Sequence, residues 1–121
     1  MADRSPLVAL GALNAALAVA AGAFAAHGLR ERLAARSLEV FETAARYHMY
    51  HALAMVLAGM LVATRGASTA GWLFQAGIAL FSGSLYALAL TDVKVLGAVT
   101  PVGGLAFLAG WLWLAWSVWR A

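Results

Sequence analysis

The sequence predicts an all-α integral membrane protein, a bundle of four membrane-spanning helices in one domain covering residues 1–121. Three observations predict it. First, 64% of the 121 residues are hydrophobic and only 11% charged, with a mean hydropathy of +0.86. A soluble domain is about half apolar and about a quarter charged, and a short soluble chain has too little interior to hide the difference. Second, the apolar residues fall into four runs with approximate limits 6–26, 47–63, 70–90 and 100–119. Third, the polar residues gather between those runs rather than along one face of each.

The first run, Pro6 to Ala26, carries no charge, and its one strongly polar side chain is Asn14. At about 1.5 Å per residue it covers roughly 31 Å, the thickness of the hydrocarbon layer. Ser5 followed by Pro6 is a sound helix start, a hydroxyl cap and then a residue that needs no donor. Ala23-Phe24-Ala25 resembles a cleavage site, but the run is too long and its leader too poor in basic residues for a signal peptide. It is read as the first span. Residues 27–46 are the one substantial polar segment. Leu29, Leu33, Leu38, Val40 and Phe41 alternate there with Arg30, Glu31, Arg32, Arg36, Glu39, Glu42 and Arg46. The mixture predicts a short amphipathic helix lying at the interface, its last part running from about Ser37 into the second span. Thr64-Arg65-Gly66 closes the second run and Thr91-Asp92-Val93-Lys94 the third, and Thr100-Pro101 opens the fourth. Trp111, Trp113, Trp116 and Trp119 crowd the end of the fourth, and Trp72 lies near the start of the third, placing that side at a headgroup level.

Four spans put both termini and the second loop on one side. That side holds Arg4, Arg65 and Arg120, and the other holds Arg30, Arg32, Arg36, Arg46 and Lys94. Five basic residues against three predict that the first and third loops are cytoplasmic. The net charge of +3 and pI of 10.0 come from eight scattered Lys and Arg, a topology signal and not a nucleic-acid surface. With no cysteine there is neither a disulfide nor a thiolate metal site.

Small residues are spaced for close helix contact. Gly22 belongs to such a flank in the first span, Ala79, Gly83 and Ala87 recur every fourth residue in the third, and Gly103, Gly104, Ala106 and Gly110 line the fourth. Helices in a bilayer associate through such close approach and through polar contacts. Gly83 is expected to receive the fourth helix. The same spacings suit a homo-oligomer or a partner membrane protein.

The polar side chains of the spans also gather. His27, Arg46, Tyr47 and His51 come from the first loop's side of the first two spans, and Ser84, Tyr86 and Thr100 from the same side of the third and fourth. Counted from the ends of the runs, His51 and Tyr86 lie roughly 7 Å deep, where polar groups are costly unless they face the bundle or a wet cavity. They make one candidate polar pocket, in which His27, His51 and Tyr86 are expected to meet. A lipid, a quinone or a partner membrane protein is the expected occupant. A small oligomeric transporter or proton-conducting channel is the first alternative, since imidazole titrates near neutrality and can relay protons. Bis-histidine haem or metal ligation is the second. No catalytic residue, metal site or cofactor is assigned: the chain has no HExxH, no glycine-rich phosphate loop and no nucleophile elbow. Interfacial anchoring of the histidines and tyrosines accounts for the same pattern without a site.

Four ordered blocks also resemble a known family. Gly22-Ala23-Phe24-Ala25-Ala26-His27-Gly28-Leu29 is similar to the signature that ends the first helix of the domain of unknown function 423 proteins, the YgdD-like small membrane proteins of bacteria. Thr43-Ala44-Ala45-Arg46-Tyr47 with His51-Ala52-Leu53, Phe81-Ser82-Gly83-Ser84-Leu85-Tyr86, and Thr100-Pro101-Val102-Gly103-Gly104 with Gly110-Trp111 resemble its later blocks. Ala25 stands where that family usually has glycine, and His48 where it commonly has glutamine. The resemblance implies a four-span, multi-pass protein of the cell inner (plasma) membrane. It implies no reaction.

Overall fold

The computed structural model describes residues 5–121, and among these every regular element is helical. Arg4, part of the charge count above, lies outside the described residues. Helix α1 runs Pro6–His27, with the Ser5 hydroxyl accepting from the Leu7 amide at 3.2 Å and proline in the first turn. Helix α2 runs Ala35–Met60. Helix α3 runs Ala67–Thr91, continuous through one π turn at Ile78–Ser82. Asp92, at φ 57°, ends it in the left-handed conformation and returns its N–H to Leu88 O. Helix α4 runs Leu96–Trp119.

Two boundaries differ from the sequence reading. The separate interfacial helix does not form: residues 28–34 are turns, and the charged segment from Ala35 onward is the start of α2. The reason is where its apolar residues go. Leu29 is buried with Ala25, Phe41 and Ala89, and Leu33, Leu38 and Val40 pack against that cluster. The residues that suggested a membrane-lying face instead close one end of the bundle. Helix α4 starts one turn before Thr100, so Pro101 lies inside it. The amides of Leu96, Gly97 and Ala98 bond three residues back, to Val93, Lys94 and Val95, a tight first turn that ends before the donor proline lacks.

Helices α1, α3 and α4 are each long and apolar enough to cross a membrane. Most of their surface faces outward: Leu105 is 65% exposed and Leu112 70%, which suits hydrocarbon and not water. Helix α2 lies against α1 and α3, and α3 against α4. The bundle therefore has two ends. The terminal end holds Pro6, Met60, Ala67 and Trp119, and the loop end holds residues 28–34 and 92–95. Leu7, Met55, Phe74 and Phe107 build the core in the terminal half, and the Leu29 cluster builds it at the loop end.

Glycines set the closest approaches. A Cβ on Gly11 would lie 2.8 Å from Ala52 O, and one on Gly59 2.8 Å from Val8 N, so α1 and α2 meet backbone to backbone. A Cβ on Gly103 would strike the backbone of Leu80 and Phe81, and one on Gly110 would lie 2.7 Å from the Phe74 ring. Three expected contact glycines are not tight. Gly22 has nothing within 4 Å, and the nearest atoms to a Cβ on Gly83 or Gly104 lie at 3.8 Å. For Gly83 the cause is the π turn. It winds one extra residue into α3, with the Gly83 N–H bonding back to Ile78 O, and so rotates the rest of the helix away from the Ala79–Gly83–Ala87 register.

Candidate functional site

A chain of four side chains crosses the interior. Asn14 on α1 donates through Nδ2 to Gln75 Oε1 on α3 at 2.9 Å and to its own Leu10 O at 2.9 Å. Its Oδ1 meets His48 Nε2 on α2 at 2.9 Å, and His48 Nδ1 meets the Tyr86 hydroxyl on α3 at 3.0 Å. The roles follow from the ends of the chain. A carbonyl only accepts, so Leu10 fixes the Asn14 amide, whose oxygen then requires a donor at His48 Nε2. His48 is satisfied as the neutral Nε2–H ring, and Tyr86 donates to Nδ1. Asn14 is 8% exposed and His48 6%.

His51, one turn further along α2, has a separate setting. Its Nδ1 donates to Tyr47 O at 2.8 Å, and its Nε2 accepts from Trp111 Nε1 at 3.1 Å. Both partners have a single role, so His51 is satisfied as the neutral Nδ1–H ring. The ring lies flat on Phe107, with centroids 3.5 Å apart and planes 7° apart. Phe107 is eleven residues into the 24-residue α4, so His51 sits about 16 Å from that helix's start, near mid-height. That is deeper than the spacing of apolar runs suggested, because α2 begins at Ala35 and not at Tyr47.

The seven expected pocket residues therefore divide. Tyr86 joins His48 rather than His51. His27 is exposed at the end of α1 and apart from both, so His27, His51 and Tyr86 do not meet. Ser84 and Thr100 bond each other at 2.6 Å across α3 and α4. Arg46 is exposed on the outside of α2. Tyr47 packs against Phe81 with the rings tilted and their centroids 4.9 Å apart, at the rim of an outer groove. Asn14, Gln75, His48 and Trp111 are the additions. A lone amide in an apolar run was the available signal, since an amide in hydrocarbon needs a partner.

The groove lies between α2 and α4, which are held apart by aromatic side chains and share α3 as the floor. It has a volume of about 450 Å³ and is lined by Tyr47, Tyr50, His51, Phe81, Phe107 and Trp111, with Gly104 and Leu108 on the α4 side. Tyr50 and Leu108 on its rim are exposed, so it opens to the outside of the bundle. Its polar groups are few. Both His51 nitrogens are engaged, and the Tyr47 and Tyr50 hydroxyls bond to no other described residue. Among the described residues no three His, Cys, Asp or Glu side chains gather as metal ligands.

Comparison with known proteins adds the following. Residues 21–104 match the family model described as protein of unknown function (DUF423). A UPF0382 membrane protein of Staphylococcus saprophyticus is 50% identical over 109 residues, covering 88% of this chain and 91% of the relative. The UPF0382 membrane protein YwdK of Bacillus subtilis is 50% identical over 109 residues, covering 87% and 89%. One from Staphylococcus haemolyticus is 46% identical over 115 residues, covering 93% and 94%. No solved structure matches the chain.

Proposed function

The chain belongs to the DUF423 family, and from that premise we propose that it is a four-span protein of the bacterial plasma membrane that carries out no reaction of its own. It binds a lipid-soluble ring compound of the quinone class, taken up sideways from the bilayer into the α2–α4 groove. The observation that carries this reading is the groove's lining. Aromatic faces from Tyr47, Phe81, Phe107 and Trp111 suit a flat ring. The Tyr47 and Tyr50 hydroxyls, which bond to no other described residue, are the donors such a ring's carbonyl oxygen would use.

Four spans are supported by how α2 packs. It runs between α1 and α3 along their length, with Gly59 against Val8 at the terminal end and Phe41 beside Phe24 at the loop end. A helix that accompanies two spanning helices from end to end crosses with them. Its charges, which set it apart from the other three by composition, lie in its first half. Relay of protons gains no support from the buried chain, which passes through the amides of Asn14 and Gln75. Haem or metal ligation gains none from histidine nitrogens that already have partners.

The test fills the groove. A Cβ on Gly104 has its nearest neighbour, in the Phe81 ring, at 3.8 Å, so Gly104→Leu is accommodated in α4 and extends into the ligand space. Short-tailed ubiquinone titrated into the protein in lipid nanodiscs is expected to quench tryptophan fluorescence saturably. Gly104→Leu is expected to weaken that binding at least about tenfold, the effect of about 1.4 kcal/mol. Gly22→Leu, on an open face, should leave it unchanged. Linear, unsaturable quenching, or equal affinity for Gly104→Leu, overturns the reading.

A further inference from the structure

The outward side of α2 has a repeat that its own fold does not use. Glu39, Arg46, Leu53 and Met60 recur every seven residues, and all four are exposed. Glu42 and Leu57 lie beside them on the same stripe and are exposed too. A seven-residue repeat is the period at which two helices keep one seam in contact as they coil around each other. The faces that α2 turns to α1 and α3 run through other residues, Ala44, His48, Ala52 and Met55 among them. Leu53 is 57% exposed and Met60 72%.

Lipid alone satisfies the apolar half of this stripe but not the charged half. His51 is level with Phe107, about 16 Å from the start of α4, and Arg46 precedes His51 by five residues. The Arg46 backbone thus lies about 9 Å inside that end. The apolar surface continues at the same height and above it: Val99, Val102 and Leu105 on α4 are exposed, and so are Val93 and Val95 in the loop beyond. An arginine on the outside of a spanning helix at that depth is costly unless it is paired or stretches its side chain to the headgroups. Among the described residues the one ion pair is Lys94 with Asp92, and neither the Arg46 nor the Glu42 side chain bonds to another described residue.

We infer that the stripe is the seam of a homodimer, α2 against the α2 of a second copy. Copies inserted in the same orientation are related by a two-fold axis along the membrane normal, so their α2 helices run parallel and each stripe meets itself. Arg46 of each copy then lies one turn from the carboxylate of Glu42 on its own helix and on the other, and Glu39 extends the pairing toward the headgroups. Leu53, Leu57 and Met60 continue the contact toward the terminal end. The complementarity is internal to one sequence, which is why the occupant is a second copy and not a different protein. The inference rests on α2 crossing the bilayer and is independent of what the groove binds.

The chain has no cysteine, so a single one reports cleanly. Full-length Leu53→Cys in native membranes is expected to cross-link on mild oxidation into a dimer in more than about half of the molecules. Leu105→Cys, at a somewhat more exposed position on α4, should give several-fold less. In the Leu53→Cys background, Glu42→Arg and Arg46→Glu are each expected to cut the yield several-fold, and the two together to restore it, because the charges are then exchanged within the same pair. Equal cross-linking at Leu53 and Leu105 overturns the seam. Single reversals without effect, or a double exchange that restores nothing, overturn the charge pairing and leave Arg46 to a lipid phosphate.

Discussion

His48 and His51 are three residues apart on one helix, equally buried, and differ in what they join. His48 links Asn14 on α1 to Tyr86 on α3, whereas one of the two bonds of His51 returns to its own helix at Tyr47. Removing the His48 ring orphans a buried amide oxygen and a phenol on separate helices, each worth about 1–3 kcal/mol when left unpaired. His48→Ala is therefore expected to lower the thermal midpoint in detergent at least as much as His51→Ala. This reverses the order that depth alone suggests. His48→Gln, whose amide both donates and accepts, should recover part of the loss. A His48→Ala protein as stable as the wild type would show that the chain of bonds contributes nothing. The sequence made Asn14 conspicuous as the one strongly polar residue of its run. Its partners were not legible there, because Gln75 is distant in the chain and a histidine beside an arginine near a presumed interface reads as an anchor. Trp111 misled for a related reason. It falls in a cluster of tryptophans that marks a headgroup level, yet its N–H is used near mid-height on His51.

Helix α3 shows what periodicity conveys and where it fails. Its span was legible to within a few residues at each end, since apolar length survives any local irregularity. Its contact face was not, because the π turn at Ile78–Ser82 changes the register halfway along. Counting every fourth residue through that turn selects Gly83, whereas the backbone of Leu80 and Phe81 receives Gly103 from α4. The same turn brings Ser82 to donate to Ala44 O on α2 at 2.9 Å, and places the Ser84 hydroxyl in a bond with the Thr100 hydroxyl on α4. Two neighbouring helices are thus bonded from residues only two apart. Gly103→Ala places a methyl group against backbone that cannot move without shifting a helix, and is expected to lower the thermal midpoint by several degrees. Gly83→Ala, whose Cβ would make only an ordinary contact with Ile78 O at 3.8 Å, should be neutral or slightly stabilising, since alanine favours the helix by about 1 kcal/mol. Equal midpoints for the two variants in detergent would mean that the α3–α4 contact is looser than it stands here.

At the scale of the whole molecule, composition points to the bilayer as the solvent, and the topology turns on whether α2 crosses it. Three helices are long and apolar enough to cross by themselves. The fourth was legible only as a short run from Tyr47, because the charges of Arg36, Glu39, Glu42 and Arg46 hide the turns before it. Packing extends it. At the loop end α2 is level with the last turn of α1, where the Phe24 and Phe41 rings meet edge to face with centroids 6.4 Å apart. At the terminal end the Gly59 backbone reaches Val8. If α2 crosses, loop 61–66 and the C-terminus share one side, and residues 28–34 and 92–95 share the other. The basic residues then predict which is which, since Arg30, Arg32, Arg36, Arg46 and Lys94 outnumber Arg65, Arg120 and Arg4 and belong in the cytoplasm. Single cysteines decide it in intact cells with a membrane-impermeant maleimide. Ser68→Cys and Ala121→Cys are expected to label from outside, and Ala34→Cys and Val93→Cys only after the cells are opened. The reverse pattern would keep four spans and invert the orientation. Labelling of Ala34→Cys and Ser68→Cys from the same side would mean that α2 does not cross, and the depth assigned to Arg46 would fall with it.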